Sequence, residues 1–244
     1  MTMTTGTSEV ELSPGLFVRG IEPPLKLTDF RLIAFDMDST LISIECVDEI
    51  ADAVGRKAEV AAITEAAMQG LIPDYKDSLR RRVALLAGAP ASVLEQVYRS
   101  RLQLNPGADE LVAACRDAGL HTMLVSGGFT FFTDRVRRRL NLDTSRGNVL
   151  EIVDGRLTGR LVDQWWGDIV DGTMKRATVF ETCFRIGCTP QQAIAVGDGA
   201  NDLEMMAAVG LSVAYRAKPK VRAQANVAID MGGLDRLLEV FDPR

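Results

Sequence analysis

The stretch Phe35-Asp36-Met37-Asp38-Ser39-Thr40 sets two carboxylates two residues apart. Along an extended chain such side chains point the same way. Asp36 and Asp38 then share one small space, where like charges need a cation or a shared proton. Gly197-Asp198-Gly199-Ala200-Asn201-Asp202 nearly matches the glycine pattern of dinucleotide sites, but Asp202 stands at the third glycine position and Asp198 adds negative charge. A pyrophosphate would be repelled there, whereas a hard cation held by oxygen ligands suits these carboxylates. Ser126-Gly127-Gly128 joins a hydroxyl, backbone open to close approach and a helix start, which together make a seat for an anion. Lys175 falls near the start of another helix, where the dipole disfavours a cation, so another reason for it is expected. Taken singly, the Ser-Gly-Gly turn and the lysine are ordinary features of turns and surfaces. An acidic cluster, an anion seat and a lysine at one sheet edge describe metal-assisted phosphoryl transfer.

For these groups to meet, strands must deliver them. Leu32-Ile33-Ala34-Phe35 is apolar without alternation, as in a strand buried on both faces of a parallel sheet. Strands are also expected at 121–125 and 193–196, each ending just before a cluster, and at 211–214 and 227–229. Leu111, Val112 and Cys115 lie on a helix ended by Gly119, and further helices are expected near 130–140, 174–186 and 201–209. Residues 148–153 and 156–159 read as a hairpin turning at Asp154-Gly155. Repeated βα units imply an α/β fold with a doubly wound parallel sheet, whose ligands gather at the carboxyl edge. Residues 44–104 carry four helical stripes and no strand, and predict a small bundle inserted after the first strand. Residues 1–25, with Pro14, Pro23, Pro24 and no clear period, read as a tail that partly orders against the body. The expected organisation is a tail at 1–25, a catalytic core at 26–43 and 105–244, and a helical cap at 44–104.

Composition narrows the function. With 33 acidic and 28 basic residues the formal charge is -5, which argues against a dedicated nucleic-acid binder. No apolar run is long enough to span a bilayer, and residues 1–16 lack the basic start and apolar block of a secretory signal. Cys46, Cys115, Cys183 and Cys188 include no C-x-x-C pair, and His121 is the single histidine. A Cys/His zinc site is therefore not expected; reduced, mostly buried thiols in a cytoplasmic protein are. His121 reads as a strand-edge residue, and Arg135, Arg137, Arg138 and Arg139 as a solvated helix face.

In order along the chain, Asp36, Asp38, Ser126, Lys175, Asp198 and Asp202 resemble the pattern of the haloacid dehalogenase superfamily phosphatases: D-x-D-x-[TV], a Ser/Thr, a Lys, then G-D-x-x-x-D. Within that superfamily, the segments 36–41, 78–83, 125–129 and 196–202, together with Glu45, are similar to the phosphoserine phosphatases, and the similarity covers roughly 30–240. The resemblance implies a Rossmann-like core and a cap. It makes Asp36 the nucleophile that forms an aspartyl-phosphate. Asp38 would protonate the leaving serine oxygen and later take a proton from the attacking water. Mg²⁺ would be held by Asp36, the backbone carbonyl of Asp38 and Asp198, with Asp202 supporting the metal shell. Ser126, Gly127 and Lys175 would hold the phosphoryl oxygens, and Asn201 would contact the ligand or a metal-bound water. The implied partner is a small-molecule substrate, O-phospho-L-serine of serine biosynthesis, with no nucleic acid and no membrane.

Phosphoserine carries an ammonium and a carboxylate beside its phosphate, and the resemblance assigns these to Glu45 and Arg82. Leu79, Arg82, Val83 and Leu86 share one helical face, so Arg82 faces inward while Arg80 and Arg81 point elsewhere. A planar guanidinium suits a bidentate carboxylate; an internal ion pair with a glutamate of the insertion is the competing role. Met68 and Tyr75 resemble apolar pocket positions of the family, with Tyr75 standing where phenylalanine is more usual. Trp165-Trp166 lies outside the general motif and either packs the hairpin or meets another subunit. The same chemistry would serve phosphocholine, phosphoethanolamine or phosphohomoserine. A module that stores phosphate on aspartate, as receiver domains do, is the alternative of another class. Asp38 argues against it by speeding hydrolysis, and so does an insertion able to close over a small substrate.

Overall fold

The computed structural model describes residues 8–69 and 71–242. A short hairpin comes first, β1 (Val10–Ser13) and β2 (Leu16–Val18), followed by the apolar strand β3 (Leu32–Phe35). Four helices follow without a strand between them: α1 (Cys46–Ala53), α2 (Lys57–Met68), α3 (Tyr75–Ala84) and α4 (Ser92–Ser100). The chain then alternates through α5 (Ala108–Asp117), β4 (His121–Phe129), α6 (Thr130–Leu140), the hairpin β5 (Thr144–Val153) and β6 (Arg156–Val162), and α7 (Gly172–Ile186). It closes with β7 (Ala193–Gly197), α8 (Leu203–Met206), β8 (Leu211–Tyr215), α9 (Pro219–Arg222) and β9 (Val227–Ile229).

The strands form one sheet in the order β1-β2-β9-β8-β7-β3-β4-β5-β6. From β9 to β5 neighbours run parallel; β1, β2 and β6 add antiparallel edges. The uninterrupted apolar run of β3 has a direct cause. Ile33 and Phe35 enter one core with Leu111, Phe132 and Val136, while Leu32 and Ala34 enter the opposite core with Met123, Val179 and Cys183. Both faces of this strand are covered, so neither accepts a polar residue. Phe35 pairs with Leu124 on one side and Val196 on the other. Asp36, Ser126 and Asp198 therefore come together at the carboxyl edge of the sheet.

The helical insertion is tied to this core at several places. Its two connecting segments run side by side, Ser43 N donating to Gln103 O at 3.0 Å and Asn105 N to Leu41 O at 2.9 Å. Residues 88–91 lie along the β5–β6 hairpin, with Gly88 N donating to Leu157 O, Leu157 N to Ala89 O and Ala91 N to Gly155 O. Gly159, at φ +81°, packs so close to Ala84 and Ala87 that a side chain would collide there. At the other end of α3, Lys76 Nζ lies 2.9 Å from Asp168 and 3.5 Å from Asp171, and Arg80 also pairs with Asp168.

Several expectations change. Residues 10–18, read as part of a tail, form a hairpin turned at Gly15 (φ +74°) and extend the sheet beside β9. Runs this short carry no readable period, and their pairing partner lies some 200 residues away in sequence on the order of the whole chain. The helix expected at 201–209 is a 3-10 turn at Ala200–Asp202 followed by the short α8. The Asp202 carboxylate accepts the Asp198 and Gly199 N–H groups and tightens that turn. Strand β5 starts at Thr144, ahead of the expected 148, because its first residues pair with β4. Arg135 is not solvated like its neighbours: it stacks on Phe131 with 3.5 Å to the ring centroid and pairs with Glu95 of α4 at 3.3 Å. Trp165 is exposed and Trp166 packs, partly buried, against the core that contains Met123 and Val179, with Arg146 over both rings. No disulfide joins the cysteines, and Cys46, Cys115 and Cys183 are buried. Among the described residues, no helix is long and apolar enough to cross a membrane.

Candidate active site

Beyond Phe35 the chain turns sharply through Met37–Leu41, with Ser39 in the left-handed region at φ +57°. Such a conformation costs a non-glycine residue roughly 1 kcal/mol, and its surroundings hold it. The Ser39 hydroxyl donates to Glu45 Oε1 at 2.8 Å. Asn105 Nδ2 donates to the carbonyls of Thr40 at 2.7 Å and Ile42 at 3.1 Å. This buried asparagine, unremarked in the sequence, fixes the loop that carries both carboxylates. Asn148 does the same across the site. Its Nδ2 donates to Gly127 O at 2.7 Å and its Oδ1 accepts Val170 N at 2.9 Å, joining the Ser126–Gly128 turn to the segment that leads into α7. Neither asparagine stands within an apolar run, and nothing in the neighbouring sequence marked it.

Asp36 is buried, and its Oδ1 accepts Met37 N and the Lys175 ammonium, each at 2.8 Å. Lys175, fully buried at the start of α7, also donates to Asp202 Oδ1 at 2.7 Å. Asp171 caps that helix by accepting Met174 N at 2.8 Å. Burial alone would lower the Lys175 pKa; the Asp202 and Asp36 carboxylates more than offset it and hold the ammonium charged. The partner that a cation at a helix start demanded is thus a pair of buried acids. Asp202 is saturated, its second oxygen accepting Asp198 N at 3.2 Å and Gly199 N at 3.0 Å. Gly197 must be glycine here, since any Cβ would meet the Asp202 carboxyl.

Ligand atoms of Asp36, Asp198 and Asp202 lie within 4.8 Å of one another. Burial holds Asp36 well above the usual carboxylate range; the Asp202 charge adds to this, and Lys175 opposes it. Asp198 accepts Thr40 Oγ1 at 3.1 Å and is pushed up to about 7 by burial, then by Asp202. Three buried acids against one lysine leave excess negative charge, and all the donors are oxygen. These residues fit a divalent metal ion. Asp36 and Asp198 retain oxygens for it, whereas Asp202 is committed to Lys175 and to backbone.

Asp38 faces the same space from the half-buried turn. Its Oδ2 accepts Cys46 N at 3.4 Å, and its Oδ1 is buried without a partner. Burial, then the Glu45 charge, pushes Asp38 up to about 8. A carboxyl in that range is protonated at neutral pH and has a proton to give.

These groups line one cavity of about 840 Å³ between the sheet edge and the insertion. Asp36, Asp38, Glu45, Arg82, Ser126, Gly127, Asp198 and Asn201 all border it, and Lys175 and Asp202 lie just behind. Ser126 Oγ accepts Gly128 N at 2.9 Å, which shapes the Ser126–Gly128 turn on the cavity wall. Arg82 enters from α3; no ion pair holds it among the described residues, and its buried Nε has no partner. Asp48, whose pKa is raised by burial, feels the Arg82 charge but does not reach salt-bridge distance. Tyr75 borders the cavity too, while the side chain of Met68 lies outside the described residues. Glu204 and Lys218 also reach the rim, Lys218 N donating to Asp198 O at 3.1 Å. Nothing in their local sequence marked them. His121 opens β4 at the opposite end and takes no part.

Comparison with known proteins agrees with this geometry. The family model for haloacid dehalogenase-like hydrolases matches residues 33–207. A phosphoserine phosphatase of Polaromonas sp. is 69% identical over 230 residues, covering 94% of this chain and 98% of that protein. Another, from Albidiferax ferrireducens, is 66% identical over 232 residues, covering 95% and 98%. A solved structure described as a phospho-aspartyl intermediate analogue of phosphoserine phosphatase superposes with a TM-score of 0.79 at 33% identity, covering 87% of this chain and 99% of that one. With its acids, its lysine and the Ser126–Gly128 turn gathered at the carboxyl edge of a parallel sheet, the chain belongs to the haloacid dehalogenase-like hydrolases.

Proposed function

We propose that this protein is a Mg²⁺-dependent phosphatase that hydrolyses O-phospho-L-serine to L-serine and phosphate through an aspartyl-phosphate on Asp36. The observation that carries the reading is the buried Asp36–Lys175–Asp202 cluster beneath a cavity whose walls offer Glu45 and Arg82, the latter without an ion pair among the described residues. Lys175 and Met37 hold the Asp36 carboxylate through Oδ1 and so orient it toward the cavity. The carboxylate forms a bond to phosphorus as the bond from phosphorus to the serine oxygen breaks, and Asp38 gives its proton to that oxygen. Asp38 then takes a proton from water, whose oxygen displaces Asp36 from phosphorus and restores both acids. Mg²⁺, held by Asp36, the Asp38 carbonyl and Asp198, would supply the positive charge that lets a carboxylate approach a phosphate dianion. Ser126, Gly127 and Lys175 hold the phosphoryl oxygens, with Asn201 at the edge of the same seat. Asp202 keeps Lys175 and the Asp198 loop in place. Glu45 takes the substrate ammonium and Arg82 its carboxylate.

Phosphate release from a panel of phosphoserine, phosphocholine, phosphoethanolamine and phosphohomoserine tests this, with and without chelator. Phosphoserine should give the highest kcat/KM, and chelator should abolish turnover. Preference for another ester would move the substrate assignment, and full activity in chelator would remove the metal. Arg82→Ala should weaken phosphoserine turnover about 10- to 100-fold, the worth of a hydrogen bond to a charged group. It should leave p-nitrophenyl phosphate, which has no carboxylate, nearly unaffected.

A further inference from the structure

Tyr75 begins α3 and reaches across from the insertion to the sheet edge. Its hydroxyl rests directly on Gly127, so closely that a methyl group added at Gly127 would collide with it. The hydroxyl finds no hydrogen-bond partner among the described residues, although the ring is half-buried and borders the cavity. The charges acting on it come from Lys175 first, then Arg82, Asp36 and Asp38. It is thus a neutral donor set amid the reacting groups, on the very glycine that forms the anion seat. Burial pushes its pKa up to about 12, so it keeps its proton throughout the working range. A hydroxyl without a protein partner on the cavity wall is free to donate to a ligand bound there.

We propose that the Tyr75 hydroxyl donates a hydrogen bond to a phosphoryl oxygen of the substrate, completing from the insertion the seat that Ser126, Gly127 and Lys175 form from the core. Contact with Gly127 and the stronger influence of Lys175 over Arg82 favour the phosphoryl end of the substrate over its carboxylate. The proposal rests on the phosphatase reading of this cavity. It adds that the insertion binds the reacting group itself and not only the amino-acid end.

Tyr75→Phe is the discriminating variant, since it keeps the ring that walls the cavity and removes only the donor. Orthophosphate binding in the presence of Mg²⁺, measured by calorimetry on wild type and variant, should weaken about tenfold or more, as expected for a lost hydrogen bond to a charged group. Where the esters are turned over, kcat/KM for phosphoserine and for p-nitrophenyl phosphate should fall by similar factors. Orthophosphate affinity unchanged in Tyr75→Phe overturns the proposal, and so does a loss confined to phosphoserine, which would move the contact to the amino-acid end. Failure of the phosphoserine reading would show separately, as a wild-type protein that binds orthophosphate but does not turn phosphoserine over.

Discussion

Asp36 meets Lys175 and Met37 through Oδ1, an oxygen that an asparagine can also present. Burial already disfavours the charged form of this acid, so Asp36→Asn should fold normally. Turnover should fall by at least about 10³-fold, as when a covalent nucleophile is removed. Comparing phosphate release with thermal unfolding of the variant checks both halves, and an active asparagine variant would exclude Asp36 as nucleophile. Asp38 offers a pH test. Pushed up to about 8 by burial and then by Glu45, it holds its proton below that pH and loses it above. The kcat/KM for phosphoserine should therefore decline on the alkaline side, while p-nitrophenyl phosphate, whose leaving group needs no proton, should lack that decline. Glu45→Gln removes a like charge, so the alkaline limb should move to lower pH. A limb that stays put would mean that Glu45 does not act on Asp38. At this scale the acidic cluster was readable from type and spacing alone. Asn105 and Asn148 were not, because their hydrogen bonds go to segments far away in the chain.

The elements carry these residues with different firmness. Helix α3 is fastened at its end, where residues 88–91 pair with the β5–β6 hairpin. At its start it is held by Lys76 and Arg80 on Asp168, with Lys76 also near Asp171, the cap of the helix bearing Lys175. These pairs are partly exposed, so each is worth roughly 0–1 kcal/mol and is screened by salt. The double change Lys76→Ala with Arg80→Ala should leave Tm nearly unchanged. It should raise KM for phosphoserine a few-fold, because the first turn of α3 carries Tyr75 and is no longer held over Gly127. In the wild type KM should rise with ionic strength, and an equal salt response in the double variant would show that these pairs do not hold the helix. The helical stripes of the insertion were legible as stripes. Their attachment was not: Arg80 and Arg135 each found a partner on another element, which no periodicity within one helix can reveal.

Across the whole molecule the clustered acids set a cost that a bound divalent ion would relieve. Unfolded carboxylates titrate near ~4, but Asp198 is pushed up to about 7 and Asp38 to about 8 in the fold. Between these limits the folded state binds more protons than the unfolded one, so stability falls as pH rises. Metal-free protein should melt at a higher temperature at pH 6 than at pH 8. Saturating Mg²⁺ should raise Tm most at pH 8 and flatten this dependence, with about 2.7 kcal/mol expected at a hundredfold excess over Kd. A Tm in chelator that is flat over this range would mean that the acids are not so perturbed. The sequence by itself determined the apolar strands, the helical stripes and the order of the chemical residues, because side-chain pattern and local backbone preference act over a few neighbours. Only the tertiary structure decided that Lys175 lies between Asp36 and Asp202, that residues 10–18 join the sheet beside β9, and that the Tyr75 hydroxyl rests on Gly127. Each of those contacts joins segments remote in sequence, and their distances are set by how the sheet and the insertion pack together.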